Sequence, residues 1–264
     1  MKIKEILQNS PLPQAEIQIL LSHVLEKDRS FLFANPDQNL APEIINRLNK
    51  LLSRRAKNEP IQYILKSAKF YGLDFYVDKR VLIPRPETEE LVSEAIKHFL
   101  QKPSRDHGKG FNPFPDTYRI IDVGTGSGNI AISLAKSLPK EVEIVAIDIS
   151  PSALEVASYN ARVHGVGERI NLIQGNLLHP LRKNGSKASA NLIVSNLPYI
   201  SEHFYLALEA DIKDHEPKLA LVGGPTGLEL YHRLFLEAKD VLKPGGKIIY
   251  ELDGRIKSHT PRFT

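Results

Sequence analysis

Three stretches of this chain combine residue types and spacings that could do chemistry. The first is Gly124-Thr125-Gly126-Ser127-Gly128, with Asp122 just before it and Asp148 farther on. Glycines let the backbone approach a ligand closely and let the amides at a helix start face it. A dinucleotide fold spaces its glycines Gly-x-Gly-x-x-Gly, whereas here they run Gly-x-Gly-x-Gly, which argues against a nicotinamide enzyme. No Lys-Ser or Lys-Thr pair follows, so a phosphate-gripping loop is disfavoured as well. Asp148 stands where an acid can accept both hydroxyls of a ribose; the competing reading is a helix-capping acid ahead of Pro151. Loop and acid together suit a nucleoside that carries no phosphate.

The second stretch is Ser195-Asn196-Leu197-Pro198-Tyr199-Ile200, directly after an apolar run at 191–194. A buried strand that ends in a polar residue, a proline and an aromatic delivers a rigid loop to the carboxyl edge of a sheet, where open α/β folds bind ligands. A plain strand-ending turn is the alternative, since Asn and Pro are common turn residues. The third is Leu82-Ile83-Pro84-Arg85-Pro86-Glu87-Thr88-Glu89. Two prolines hold the entry extended, and Glu87, Glu89 and Glu90 then suit the positive end of a helix. Arg85, fixed between the prolines, is well placed to hold a carboxylate, internal or on a ligand.

Elements to position these residues are legible around them. From Tyr118 the chain alternates strand and helix: strands at 119–123, 143–148, 171–174, 191–195 and 247–252, and helices at 130–138, 151–164 and 226–242. This order predicts a mainly parallel sheet with right-handed crossovers. Ahead of it, residues 1–60 read as a helical bundle, with apolar stripes at Ile17, Leu20, Leu21 and Val24 and at Ile44, Ile45, Leu48 and Leu51. Residues 61–80 read as a β-hairpin linker built from the runs 62–65, 69–72 and 75–77. The Pro- and Gly-rich stretch 101–117 and the basic stretch 182–187 read as loops.

Composition sets the class. The chain has 264 residues, 42% hydrophobic and 25% charged, enough for one large or two modest globular domains. Having no cysteine, it lacks disulfides, thiolate zinc sites and cysteine nucleophiles, which suits a reducing cytoplasm. The nine histidines show no metal-ligand spacing, and no nucleophile elbow marks a serine hydrolase. No run approaches the roughly 18 apolar residues of a membrane span. A net charge of +4, scattered among acids, permits a nucleic-acid partner without arguing for one.

The residues 122–128, Asp148 and the Asn196 loop together resemble a Rossmann-type S-adenosylmethionine-dependent methyltransferase that acts on an amino group. The stretch Leu82 to Glu89 narrows the resemblance to the protein-(glutamine-N5) methyltransferases of peptide-chain release factors. Phe70-Tyr71-Gly72, and His215-Glu216-Pro217-Lys218-Leu219-Ala220-Leu221 followed by Gly223-Gly224 and Gly227-Leu228, support it. The resemblance runs from the first helices to about residue 252. It implies a methyltransferase domain over 81–264 behind the helical bundle, a cytoplasmic monomer, and a release factor modified at the glutamine of its Gly-Gly-Gln motif. By position it assigns the methionine part of S-adenosylmethionine to Gly124, Thr125, Gly126, Ser127 and Gly128, the ribose to Asp148, and the adenine surroundings to Asn176 and Leu177. In the family the target nitrogen is held by the side-chain oxygen of Asn196 and the carbonyl of Leu197, with Pro198 fixing the turn and Tyr199 packing near the reacting centre. Arg85 and Glu87 are accessory candidates.

The same resemblance explains why these types are needed. An amide nitrogen is a poor nucleophile because its lone pair is delocalised; two acceptors that take both of its N–H bonds aim the lone pair and bind the nitrogen more tightly as it gains positive character. Three departures stand out. Asn176 replaces the family's usual acid, which predicts weaker cofactor binding. Leu197 replaces the first proline of Asn-Pro-Pro-Tyr, and Asn-Leu-Pro-Tyr is also the form of enzymes that methylate adenine N6 in ribosomal RNA; adenine methylation is therefore the alternative activity. After the fifth strand only 253–264 remain, too little for the helix and antiparallel hairpin typical of the fold. That predicts an exposed edge on strand five, with self-association through it, and a cofactor-binding module without turnover as a further alternative.

Overall fold

The computed structural model describes residues 1–101, 118–182 and 189–259. Most of the stretches expected as loops over 101–117 and 182–187 lie outside the described residues. The chain forms two compact units, one of residues 1–66 with 210–215, the other of residues 67–209 and 216 onward.

The first unit is helical: α1 (Ile3–Asn9), α2 (Gln14–Leu25), α3 (Arg29–Ala34), α4 (Pro42–Arg55) and α5 (Ile61–Leu65). The apolar stripe expected on α2 is buried whole, with Ile17, Leu20, Leu21 and Val24 meeting Ile3, Leu32, Leu48 and Ile64 in one core. Proline starts α4 at its first turn, where a missing N–H costs nothing. Arg55 forks onto Glu16 at 2.8 and 3.1 Å, tying α4 to α2. The run 62–65, expected as a strand, is helical instead. Pro60 opens that helix and its carbonyl accepts from Tyr63 and Ile64 N–H at 3.0 Å each; a short apolar run cannot be told from a buried helical turn by periodicity.

The second unit opens with the hairpin β1 (Ala68–Phe70) and β2 (Leu73–Phe75), closed by Tyr71 and Gly72, both at positive φ. Then come α6 (Thr88–Leu100), β3 (Tyr118–Val123), α7 (Asn129–Ser137), β4 (Val142–Asp148), α8 (Pro151–Val163), β5 (Ile170–Gln174), α9 (His179–Arg182), β6 (Ala190–Ser195), β7 (Ile200–Ser201) and α10 (Glu202–Tyr205). A short helix, α11 (Ala210–Lys213), belongs to the first unit, and β8 (Val222–Gly224), α12 (Glu229–Val241), β9 (Leu242–Leu252) and β10 (Arg255–His259) complete the second.

Six strands form one sheet in the order β10-β9-β6-β3-β4-β5, all parallel except β10. This is the expected Rossmann-type α/β sheet. Its strands are apolar on both faces because both are covered: Ile121, Val123, Val145, Ile147 and Ile193 meet Tyr231, Leu234 and Ala238 of α12 on one side, and α6, α7 and α8 pack on the other. The chain runs outward from β3 through β4 to β5 and then returns to β6 on the opposite side of β3. That reversal opens a crevice at the carboxyl ends of β3 and β6. The glycine loop leaves β3 there and the Asn196 loop leaves β6 there, with Val123 and Ser195 in register.

The exposed edge expected on the fifth strand is not present. That strand, β9, lies between β6 and β10, with Ile256 opposite Glu251. Asp253 and Gly254, at φ 53° and 65°, close the two-residue hairpin that Asp-Gly favours, so a few residues suffice to cover the strand. Among the described residues the edge on this side falls instead on the short β10, whose Arg255 and Lys257 are exposed and discourage edge-to-edge pairing.

Candidate active site

The glycine loop and Asp148 form one bonded unit. Asp148 ends β4, and its carboxylate accepts from Gly126 N–H at 2.8 Å on one oxygen and from Ser150 N–H at 2.9 Å on the other. Burial holds this carboxyl above its ordinary range while those backbone bonds pull it back. Gly124 sits at φ 78°, which a side chain would strain, and a Cβ there would stand 3.0 Å from Leu197 Cδ2, so the loop and the Asn196 turn pack closely. Gly128 serves packing instead. It opens α7 at φ 81°, and a Cβ would stand 3.2 Å from that of Ala157 on α8.

Behind the loop, Asp122 is fully buried, accepting from Thr125 Oγ1 at 2.7 Å and Ala131 N–H at 3.2 Å, while its Oδ1 has no partner. Burial pushes its carboxyl up to about 7. Asn160 on α8, also buried, donates to the carbonyls of Ser127 at 2.9 Å and Tyr76 at 3.0 Å, and accepts from Tyr76 N–H. The loop is thus held from both sides before any ligand arrives.

A cavity of about 400 Å³ opens at the crevice, within the size of small-molecule sites. Gly124, Thr125, Gly126 and Ser127 line it along the loop, and Asp148, Asn176 and Leu177 line it across the carboxyl ends of β4 and β5. Asn196, Leu197, Pro198 and Arg85 line its other end. Gly128, Tyr199 and Glu87 do not reach its wall. Tyr199 packs on the α12 side of the core and its hydroxyl accepts from Gly254 N–H. Glu87 is exposed at the start of α6. Asn176 presents its oxygen to Arg233, which donates to it at 3.1 Å.

Arg85 finds its carboxylate inside the protein. It donates to Glu216 Oε1 at 2.5 Å, and Glu216 Oε2 accepts from Ile83 N–H at 3.1 Å. The Glu216 side chain is 2% exposed, so the proline-rich entry is clamped to the segment after α11 by a buried acid.

At the Asn196 end, Thr88 Oγ1 donates to Glu251 Oε2 at 2.6 Å and accepts from Asn196 Nδ2 at 2.9 Å. Leu197 N–H donates to the Tyr231 hydroxyl at 3.0 Å, which in turn donates to the Glu251 carbonyl. Sequence signals for Thr88, Glu216, Tyr231 and Glu251 are slight: Thr88 follows the Pro84-Arg85-Pro86 entry, Glu216 lies in the stretch 215–221, and Glu251 is an acid within an apolar strand. Among the described residues no cluster of His, Asp and Glu could hold a metal ion. The arrangement offers acceptors for hydroxyls at one end and an amide and a carbonyl at the other, in a largely apolar enclosure. It suits group transfer by positioning rather than by a nucleophile on the protein.

Comparison with known proteins agrees in both units. Residues 2–65 match the family model described as PrmC N-terminal domain, and residues 115–258 match the one described as Methyltransferase domain. A release factor glutamine methyltransferase of Clostridium acetobutylicum is 40% identical over 261 residues, covering 96% of this chain and 86% of the relative. One from Geobacter sulfurreducens is 40% identical, covering 90% and 76%, and one from Chlorobaculum tepidum is 38% identical, covering 91% and 78%.

Proposed function

The chain belongs to the release factor glutamine methyltransferase family, and from that premise we propose that it methylates the side-chain nitrogen of a glutamine in a peptide-chain release factor, with S-adenosylmethionine as cofactor. The observation that carries this reading is the placement of Asn196 and Leu197 on the wall of the same cavity as the glycine loop and Asp148. The residues fit the cofactor. The Gly126 peptide borders open space, since a Cβ there would meet nothing within 4 Å, and Asp148 offers acceptor-only oxygens to a pair of hydroxyls. When bound, S-adenosylmethionine supplies a methyl group on a positively charged sulfur.

The protein's own groups do the rest by positioning. Asn196 Oδ1 and the Leu197 carbonyl accept the two N–H bonds of the glutamine amide and turn its lone pair toward the cofactor end of the cavity. As the nitrogen becomes more positive those acceptors hold it more strongly, which favours the transition state over the ground state. The apolar wall, with Leu197 and Ile130 among it, keeps water from competing for the same N–H groups. No strong base is needed, because the methylated, protonated amide gives up its proton readily.

The proposed substrate puts the chain in the cytoplasm, where release factors act. Among the described residues no helix is long and apolar enough to cross a membrane. The test is incubation of the purified chain with labelled S-adenosylmethionine and, in separate arms, release factor, ribosomal RNA and DNA. Label is expected on the release factor, at glutamine. Label on nucleic acid alone would overturn the reading.

A further inference from the structure

Asn196 can serve as an acceptor only if its amide is turned the right way round, and the two ends of an amide have nearly the same shape. The surroundings of Asn196 decide this. Thr88 and Glu251 are each 2% exposed, so neither exchanges its partners for water. Burial raises the Glu251 carboxyl above its ordinary range, while the hydrogen bonds from Thr88 and Asn196 draw it back toward the ionised form; in that form it only accepts, and a hydroxyl has a single hydrogen to give. With Thr88 donating to Glu251 at 2.6 Å, the lone pairs of Thr88 Oγ1 are what Asn196 meets at 2.9 Å, and Glu251 takes a further side-chain hydrogen bond from Asn196. The inner side of Asn196 is therefore lined with acceptors alone. Its NH₂ must face Thr88 and Glu251, Thr88 itself bordering the cavity, and its Oδ1 is left for the substrate; the flipped amide would set oxygen against oxygen in a buried place, at the cost of unpaired polar groups.

Glu251 also reaches the second acceptor. Its backbone carbonyl takes the Tyr231 hydroxyl hydrogen, and that hydroxyl accepts from Leu197 N–H. Burial holds the Tyr231 phenol far above its ordinary range, so it stays protonated and able to donate. The sheet explains the convergence. Ser195 and Tyr250 are the last registered pair of β6 and β9, which brings Asn196 and Glu251 next to each other, and β10 secures Glu251 from the far side through Ile256.

We propose that Thr88 and Glu251 are positioning residues that fix the Asn196 amide with its oxygen toward the substrate nitrogen, and that Glu251, through Tyr231, also fixes the peptide leading into Leu197. This rests on the methyl-transfer reading given above. Three substitutions separate the role from general support of the site. Thr88→Val keeps shape and removes both hydrogen bonds; Glu251→Gln keeps shape and adds a donor that tolerates the flipped amide; Thr88→Ser keeps the hydroxyl. Methyl transfer to release factor is measured for kcat and KM, with S-adenosylmethionine affinity measured by calorimetry. Removal of one group that stabilises a transition state costs about 10²- to 10³-fold in kcat, and a group that acts through another is expected to cost about 10- to 100-fold.

Thr88→Val and Glu251→Gln should therefore lose about 10- to 100-fold in kcat, with KM and cofactor affinity within about threefold of the parent, while Thr88→Ser keeps most of the turnover. Parent-like kcat in both Thr88→Val and Glu251→Gln overturns the proposal. So does a loss that Thr88→Ser shares, or one accompanied by a comparable loss of cofactor affinity. If Thr88→Val does not fold, Glu251→Gln, isosteric and reached by the same measurements, decides alone. A parent chain that binds S-adenosylmethionine yet leaves release factor unlabelled overturns the proposed activity and this assignment with it, whereas parent-like variants of an active parent overturn this assignment alone.

Discussion

Replacing Asp148 with asparagine separates two jobs that one carboxylate does. In the structure one of its oxygens takes the Gly126 N–H at 2.8 Å and the other the Ser150 N–H at 2.9 Å, with Ile149 N–H also turned to the carboxylate. Asparagine has one oxygen, so one of those N–H groups must face an NH₂ and lose its acceptor. An unsatisfied donor in such a place costs about 1–3 kcal/mol. That cost falls on the empty and the loaded protein alike, and so appears as lost stability and not as lost affinity. The second job is seen only when ligand is present: two ribose hydroxyls would lose a charged acceptor that can serve both. Hydrogen bonds to charged groups contribute about 1.5–3 kcal/mol against about 0.5–1.5 for neutral ones. Across two hydroxyls the difference is about 2–3 kcal/mol, or about 30- to 150-fold in the cofactor dissociation constant. Calorimetric titration with S-adenosylmethionine reads the second effect, and thermal unfolding of the empty protein reads the first. A dissociation constant within about threefold of the parent, alongside a lowered melting temperature, would refute the ribose role and leave Asp148 as a loop-bracing acid only.

Two other buried acids make predictions of opposite kinds. Asp122 has its folded-state pKa raised from 3.8 to about 7, so the native state binds the extra proton: its contribution is fully present below about 3.8, is lost as pH rises through about 7, and is flat above that. Asp122→Asn retains an acceptor for Thr125 and Ala131 and removes the buried charge, so unfolding measured from pH 5 to 8 should show a flatter decline than the parent and a gain above pH 7; an unchanged slope refutes the assignment. For the Arg85–Glu216 clamp, asymmetry of burial decides which half matters more. Arg85→Leu strands a carboxylate that is 2% exposed and should cost about 3–5 kcal/mol, whereas Glu216→Leu frees a guanidinium that is 31% exposed and can turn to water, leaving chiefly the Ile83 N–H unpaired at about 1–3 kcal/mol. Urea midpoints in the reverse order would show that the clamp is not held from the Glu216 side.

Short-range pattern controls which strands form and where the ligand cradle lies. The β-branched apolar runs at 119–123, 143–148 and 191–195 read as buried strands by composition, and strands alternating with helices predict a parallel sheet with its crevice at the carboxyl ends. Three glycines in five residues, with a following acid, already described a ligand cradle, and most of those residues line the cavity. Patterns short enough to fit two structures do not decide between them: 62–65 is helix because Pro60 starts one, and Asp253-Gly254 closes a hairpin with only a few residues.

Which polar side chains meet is a matter of long-range packing. Thr88 and Glu251 are 163 residues apart and Arg85 and Glu216 are 131 apart, and no local period encodes either pairing. Those meetings follow from sheet register: once Ser195 stands beside Tyr250, Glu251 must lie next to Asn196. Residue type told where acceptors would be needed. The packing of β6 against β9, fixed by burial over the whole core, determined which way Asn196 faces.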